Sequence, residues 1–119
     1  MQDKKLYDAE YRFMDIIWEL EPVNSTKLAR ACEARLGWKK PTAYNMLRKL
    51  AEKGLVQNES AMVTALVKRE EVRRAESEAL MERAFGGSVP LFVATLLGGR
   101  KLTRQEAEEL KRMIEEAAQ

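Results

Sequence analysis

Glycine and proline punctuate this chain. Pro22, Gly37, Pro41, Gly54, Gly86-Gly87 and Gly98-Gly99 each stand where a segment of helical character starts or stops. Neither residue is at home inside a helix, since proline lacks an N–H and glycine costs about 1 kcal/mol against alanine. The spacing therefore predicts a set of short helices.

Asp8 is the expected N-cap of a first helix over about residues 9 to 20. Ala9, Phe13, Ile16, Ile17 and Leu20 recur at helical spacing and form its apolar stripe. Glu21-Pro22 ends it. A second helix begins after Asn24 or Ser25 and runs to about Arg35, with Leu28, Ala29, Cys32 and Leu36 inward, before Gly37 stops it. Trp38, Lys39 and Lys40 make a short turn. Pro41 fits the first position of a third helix, where its missing N–H costs nothing. That helix is expected over residues 41 to 53, with Ala43, Leu47 and Leu50 on one face and Met46 at its edge. After Gly54 the pattern changes: LVQNES and AMVTALV read as two strands joined by a tight turn near Ser60, without the glycine such turns commonly carry.

From Arg69 the chain is helical again as far as Gly86-Gly87, with mixed charges at i, i+4 spacing. Ser88 caps VPLFVATLL, which is apolar nearly all round and so must be buried on every side or by a partner. Thr103 with Glu106 forms a capping box for the last helix, whose apolar stripe is Ala107, Leu110, Ile114 and Ala117. The expected fold is mainly α with a small β hairpin. It divides into a region of three helices and a hairpin over residues 1–68 and a helical region over residues 69–119.

Composition narrows the chemistry. Hydrophobic residues are 45% of the 119, enough for a core. There is no histidine and one cysteine, Cys32, which removes the commonest general base, the commonest metal ligand and any internal disulfide. No enzyme activity, metal or cofactor is expected. Carboxylates such as Glu70 and Glu71 are the only basis for a hydrolase reading. No apolar run approaches the roughly 18 residues of a membrane span, and the N-terminus shows no apolar signal region, so a cytoplasmic protein is expected. Cys32, among inward residues, reads as a small apolar filler rather than a redox switch. Trp18 and Trp38 read as packing residues.

Charge is localised. Residues 24 to 56 hold eight bases (Lys27, Arg30, Arg35, Lys39, Lys40, Arg48, Lys49, Lys53) and two acids (Glu33, Glu52), a net of +6, whereas the whole chain is +2. Two helices joined by a short Gly-containing turn make a helix-turn-helix, whose second helix enters the major groove by its N-terminal half. On the third helix the face opposite Ala43, Leu47 and Leu50 holds Pro41, Asn45, Arg48 and Glu52, flanked by Thr42, Tyr44 and Lys49. Asn can bond adenine bidentately, Arg can bond guanine, and a Thr methyl can touch thymine. Lys39 and Lys40 precede the helix, where phosphate is typically held. Tyr44 either meets a phosphate or packs on the helix flank. The rival reading is a winged-helix protein-interaction module that does not read DNA.

DAEYRFMDIIWEL, GWKKPT, MLRKLAEKGLV, LVKREE, ERAFGGS and LTRQEAEELKRMIEE, in this order and spacing, resemble the penicillinase-repressor (BlaI/MecI/CopY-like) transcriptional regulators over almost the whole chain. The resemblance implies a winged helix, a C-terminal helical dimerisation region, and a homodimer that represses from a dyad operator in double-stranded DNA. It places Lys40, Pro41, Thr42, Asn45 and Arg48 on the recognition helix. Members controlled by proteolysis carry an Asn-Phe cleavage site where this chain has Thr95-Leu96, which argues against a sensor protease as partner. Copper-responsive relatives carry a Cys-rich tail, which is absent here. The hairpin turn Asn58-Glu59-Ser60-Ala61 holds no base. Leu91, Phe92, Leu96, Leu97, Leu110 and Ile114 are the expected dimer interface, with an intrachain core helix as the alternative for VPLFVATLL.

Overall fold

A computed structural model describes residues 6–118. In chain order it contains α1 (Asp8–Leu20), β1 (Val23–Asn24), α2 (Ser25–Leu36), α3 (Lys40–Glu52), β2 (Val56–Glu59), β3 (Met62–Ala65), α4 (Arg69–Phe85), α5 (Val89–Gly98) and α6 (Arg104–Ala117). The predicted mainly helical fold with a hairpin is the one observed. The chain divides into two compact units, Met1–Glu78 and Ala79–Gln119, and the division falls inside α4.

The first unit has a continuous core. Phe13, Met14 and Ile17 of α1, Leu28 and Cys32 of α2, Leu47 and Leu50 of α3, Leu55 and Val63 of the hairpin region, and Val72 of α4 are all buried in one cluster. Each such side chain contributes roughly 1.5–3 kcal/mol of burial free energy. Trp38 stacks on Phe13, with centroids 5.9 Å apart, and so pins the turn between α2 and α3 to α1. At the far end, the Trp18 indole Nε1–H donates to the Val67 carbonyl at 2.9 Å, and the Arg69 guanidinium lies over the Trp18 ring. These contacts fix the start of α4 on the same core.

Some expectations are corrected. The N-cap of α1 is Tyr7, not Asp8; Asp8 is the first helical residue and pairs with Arg12 one turn on at 3.2 Å. Ala9 is exposed, and Glu10 takes the inward place beside it. The helix therefore turns a carboxylate, not a methyl, toward α3. Asn24 caps α2 as expected, its side-chain oxygen accepting from the Thr26 N–H at 2.8 Å. Pro41 stands one residue further into α3 than expected, since the helix opens at Lys40 with Lys39 as its N-cap. The missing N–H is equally harmless there, because the residue four before Pro41 lies outside the helix and offers no i−4 acceptor.

The sheet has a third strand that two-residue β1 supplies. The order is β1-β3-β2, all antiparallel, with Val23 opposite Val63 and Val56 opposite Ala65. The hairpin turn is made without glycine by Ser60 (φ 51°) and Ala61 (φ 65°), both left-handed. The second unit is different in kind. Ser88 caps α5, accepting from the Leu91 N–H at 3.1 Å, and Thr103 and Glu106 form the capping box of α6 as expected. Phe85 and Phe92 meet edge to face at 5.2 Å. Neither α5 nor α6 contains a buried residue.

Candidate nucleic-acid interface

α2, the turn and α3 are positioned by local chemistry. Gly37 ends α2 at φ +72°, a conformation costly to any residue with a Cβ, and its N–H donates to the Glu33 carbonyl at 3.1 Å. The chain then extends through Trp38 to Lys39, whose carbonyl accepts the Thr42 N–H at 3.0 Å. Ala43, Leu47 and Leu50 seat α3 on the core, at spacing that turns the other face outward. Pro41, Thr42, Asn45 and Arg48 are exposed on that outer face, with Lys39 and Lys40 exposed at its N-terminal end. Tyr44 is at the edge of exposure, 37% accessible. The positive end of the helix dipole and the two adjacent ammonium groups of Lys39 and Lys40 make this end of α3 electropositive.

The hairpin lies beside this face. Tyr44, Leu47, Arg48 and Ala51 of α3 and Asn58 of β2 line a shallow open cleft. Asn58 was not among the residues expected to contribute. Its strand position gave no signal, because the packing of β2 beside α3 is set by Leu55 and Val56, not by Asn58 itself.

The ion pairs divide the bases into two groups. Glu10 is 1% exposed. Its carboxylate accepts the Tyr7 N–H at 2.9 Å, the Lys49 ammonium at 3.1 Å and the Lys53 ammonium at 3.3 Å. Burial pushes the Glu10 carboxyl up, but the Tyr7 N–H and the two lysines outweigh it and hold it below the ordinary carboxylate value. Arg35 pairs with Glu19. Three of the eight bases of residues 24 to 56 are thus answered by acids of α1. Lys27, Arg30, Lys39, Lys40 and Arg48 have no acid partner among the described residues. Lys49 thus differs from the other residues expected at the interface, because its ammonium is turned to α1. The sequence carried one hint of this: Glu10 falls on the stripe that Phe13, Met14 and Ile17 continue.

No group of His, Cys, Asp or Glu suited to a metal ion occurs among the described residues. No single helix there is long and apolar enough to cross a membrane. Cys32 is buried, and its thiol is pushed up to about 11 by burial, with Arg35 opposing.

Comparison with known proteins adds to the geometry. A penicillinase repressor from Bacillus licheniformis is 22% identical over 116 residues, covering 94% of this chain and 91% of that protein. The sequence model of the penicillinase repressor family matches residues 6–116. With a winged-helix-like first unit and a match over nearly its whole length, the chain belongs to the penicillinase repressor family of DNA-binding transcriptional repressors, which are not enzymes.

Proposed function

We propose that the protein is a homodimeric, sequence-specific repressor that binds a dyad operator, with α3 of each protomer in the major groove. The observation that carries this reading is the set of unpartnered bases grouped with α2 and α3 while the other bases of the region are neutralised internally. Lys39 and Lys40 hold phosphate at the N-terminal end of α3. Asn45, Arg48 and Thr42 read base edges, Pro41 shapes the first turn, and Tyr44 contacts the backbone beside them. Lys49 is assigned to Glu10 instead. A turn without a base leaves the hairpin to contribute through backbone N–H groups and Asn58.

Dimerisation belongs to the second unit. Leu91, Leu96 and Leu97 of α5 and Leu110, Met113 and Ile114 of α6 are exposed, and Phe92 is half-buried. Apolar surface of this kind on two short helices is covered most simply by the same surface of a second copy. Two recognition helices then meet successive turns of a palindrome.

Selection of sites from random duplex DNA at near-physiological salt tests the proposal. The wild type is expected to enrich a palindrome. Asn45→Ala with Arg48→Ala is expected to blur it, at roughly 1–3 kcal/mol for each base edge that is no longer bonded. If a dimer neutralises on the order of 8 phosphates, log K falls against log salt with a slope of about −7. A slope near zero, with nothing enriched, would reject DNA reading in favour of a protein-interaction module.

A further inference from the structure

The Glu10 cluster does more than close the core. Lys49 follows Arg48 directly on α3, so it stands on the flank of the helix that bears the outer face. It keeps 54% of its side chain exposed, yet its ammonium is 3.1 Å from a carboxylate that is almost wholly inside. Lys53, at the C-cap of α3, is 25% exposed and shares the same acceptor. Both ammonium groups also lie near the Tyr7 ring, 6.0 and 5.8 Å from its centroid, at the limit of cation–π range. Glu10 is itself held by the Tyr7 N–H and cannot follow the lysines outward.

A free lysine on the flank of a helix lying in the major groove faces the sugar–phosphate backbone. Such a contact tightens binding to every sequence alike and carries no base information. A contact of that kind leaves the ratio of operator binding to binding anywhere else unchanged and adds only to the salt-dependent, sequence-independent part of the affinity. An acid buried in α1 that occupies Lys49 and Lys53 lowers that part of the affinity and leaves the base contacts of Asn45 and Arg48 untouched.

We propose that Glu10 is a positioning residue, which holds Lys49 and Lys53 against α1 and so withholds two bases per protomer from the DNA backbone, lowering affinity for every sequence alike. The inference rests on the reading of α3 as the DNA-facing helix. It assigns to α1 control over how tightly α3 holds the DNA backbone.

The test is a salt series of full-length protein on random-sequence duplex and on the duplex recovered by selection, followed by fluorescence anisotropy. Glu10→Gln should steepen the random-duplex slope by about 0.9 for each lysine released in each protomer. The selected-duplex slope should steepen by the same amount, so that the ratio of the two affinities stays that of the wild type, and Glu10→Gln/Lys49→Ala should recover the part due to Lys49. A folded Glu10→Gln protein, verified by its unfolding curve, that keeps the wild-type slope overturns the inference. Lys49→Ala in the wild-type background asks the same question without touching the core. A slope shallower by about 0.9 per protomer would place Lys49 on phosphate already and overturn the proposal. Absence of DNA binding by the wild type rejects the reading of α3 and this inference together, whereas wild-type binding with unmoved variants rejects this inference alone.

Discussion

A carboxylate that is 1% exposed is costly unless its partners are in place, and Glu10 has three. The lowered value of its carboxyl sets the sign of a pH effect. Because the folded value lies below the unfolded one, the stabilisation is fully present above the ordinary carboxylate range. It is lost as pH falls through the depressed folded value. Glu10→Gln should cost roughly 1–3 kcal/mol at neutral pH, the lower end of buried-pair losses because both lysines reach solvent. The substitution should also flatten the acid limb, so that denaturant melts of wild type and variant converge below about pH 4. A wild-type stability that is constant from pH 7 down to pH 3 would contradict this. Cys32 makes the opposite case at the same scale. Its thiol, pushed up to about 11 by burial, stays protonated at neutral pH. A thiol reagent should therefore label the native protein slowly and the denatured protein at the rate of a free thiol, and equal rates would show that Cys32 is accessible.

Among the elements, the hairpin is where sequence and backbone disagree. Ser60 and Ala61 both occupy left-handed conformations that favour Asn and Gly. Ser60→Asn with Ala61→Gly should raise stability by about 1 kcal/mol, read as a higher urea midpoint with an unchanged slope. The pairing of Glu59 with Met62 across the turn should survive the change, since register is set by Val56 and Val63 facing the core. A lower midpoint would show that the turn is held by something other than its backbone angles. α3 is the converse element, in which every local feature agrees. Pro41 sits in its first turn, Ala43, Leu47 and Leu50 face inward, and Gly54 at φ +80° follows its end. Its outward residues are therefore free of any packing duty.

At the scale of the whole molecule, the two units divide the work of folding unevenly. Among the described residues every buried one lies at or before Val72, in the first unit. α5 and α6 have good caps and little interior, so their exposed apolar side chains stabilise nothing until they are covered. Ile114, 61% exposed, is a direct probe. Ile114→Glu should shift sedimentation from dimer toward monomer and weaken operator binding by well over tenfold, because the phosphate contacts of two protomers no longer act together. An unchanged dimer would place the interface elsewhere. The α1 unfolding signal should stay that of the wild type, since the substituted residue lies outside the core of the first unit.

The local features were legible in the residues because each is decided within one or two turns of chain. The helix breaks at Gly37 and Gly54, the caps Asn24, Ser88 and Thr103, and the inward faces of α2 and α3 follow from periodicity and capping chemistry. β1 was not legible, because two residues show no alternation and Val23 becomes a strand only when Val63 is brought beside it. Nor was the true strength of the basic region. Counting charges along residues 24 to 56 gives +6, but Glu10 and Glu19 lie outside that stretch and reach it only through the packing of α1 on α2 and α3. Sequence by itself determined, to within about a residue, where the helices start and stop, and which faces α2 and α3 bury, since those depend on neighbours in the chain. Tertiary structure alone decided which bases remain free to meet a polyanion, since a charge is neutralised by whatever the fold brings within a few ångströms of it.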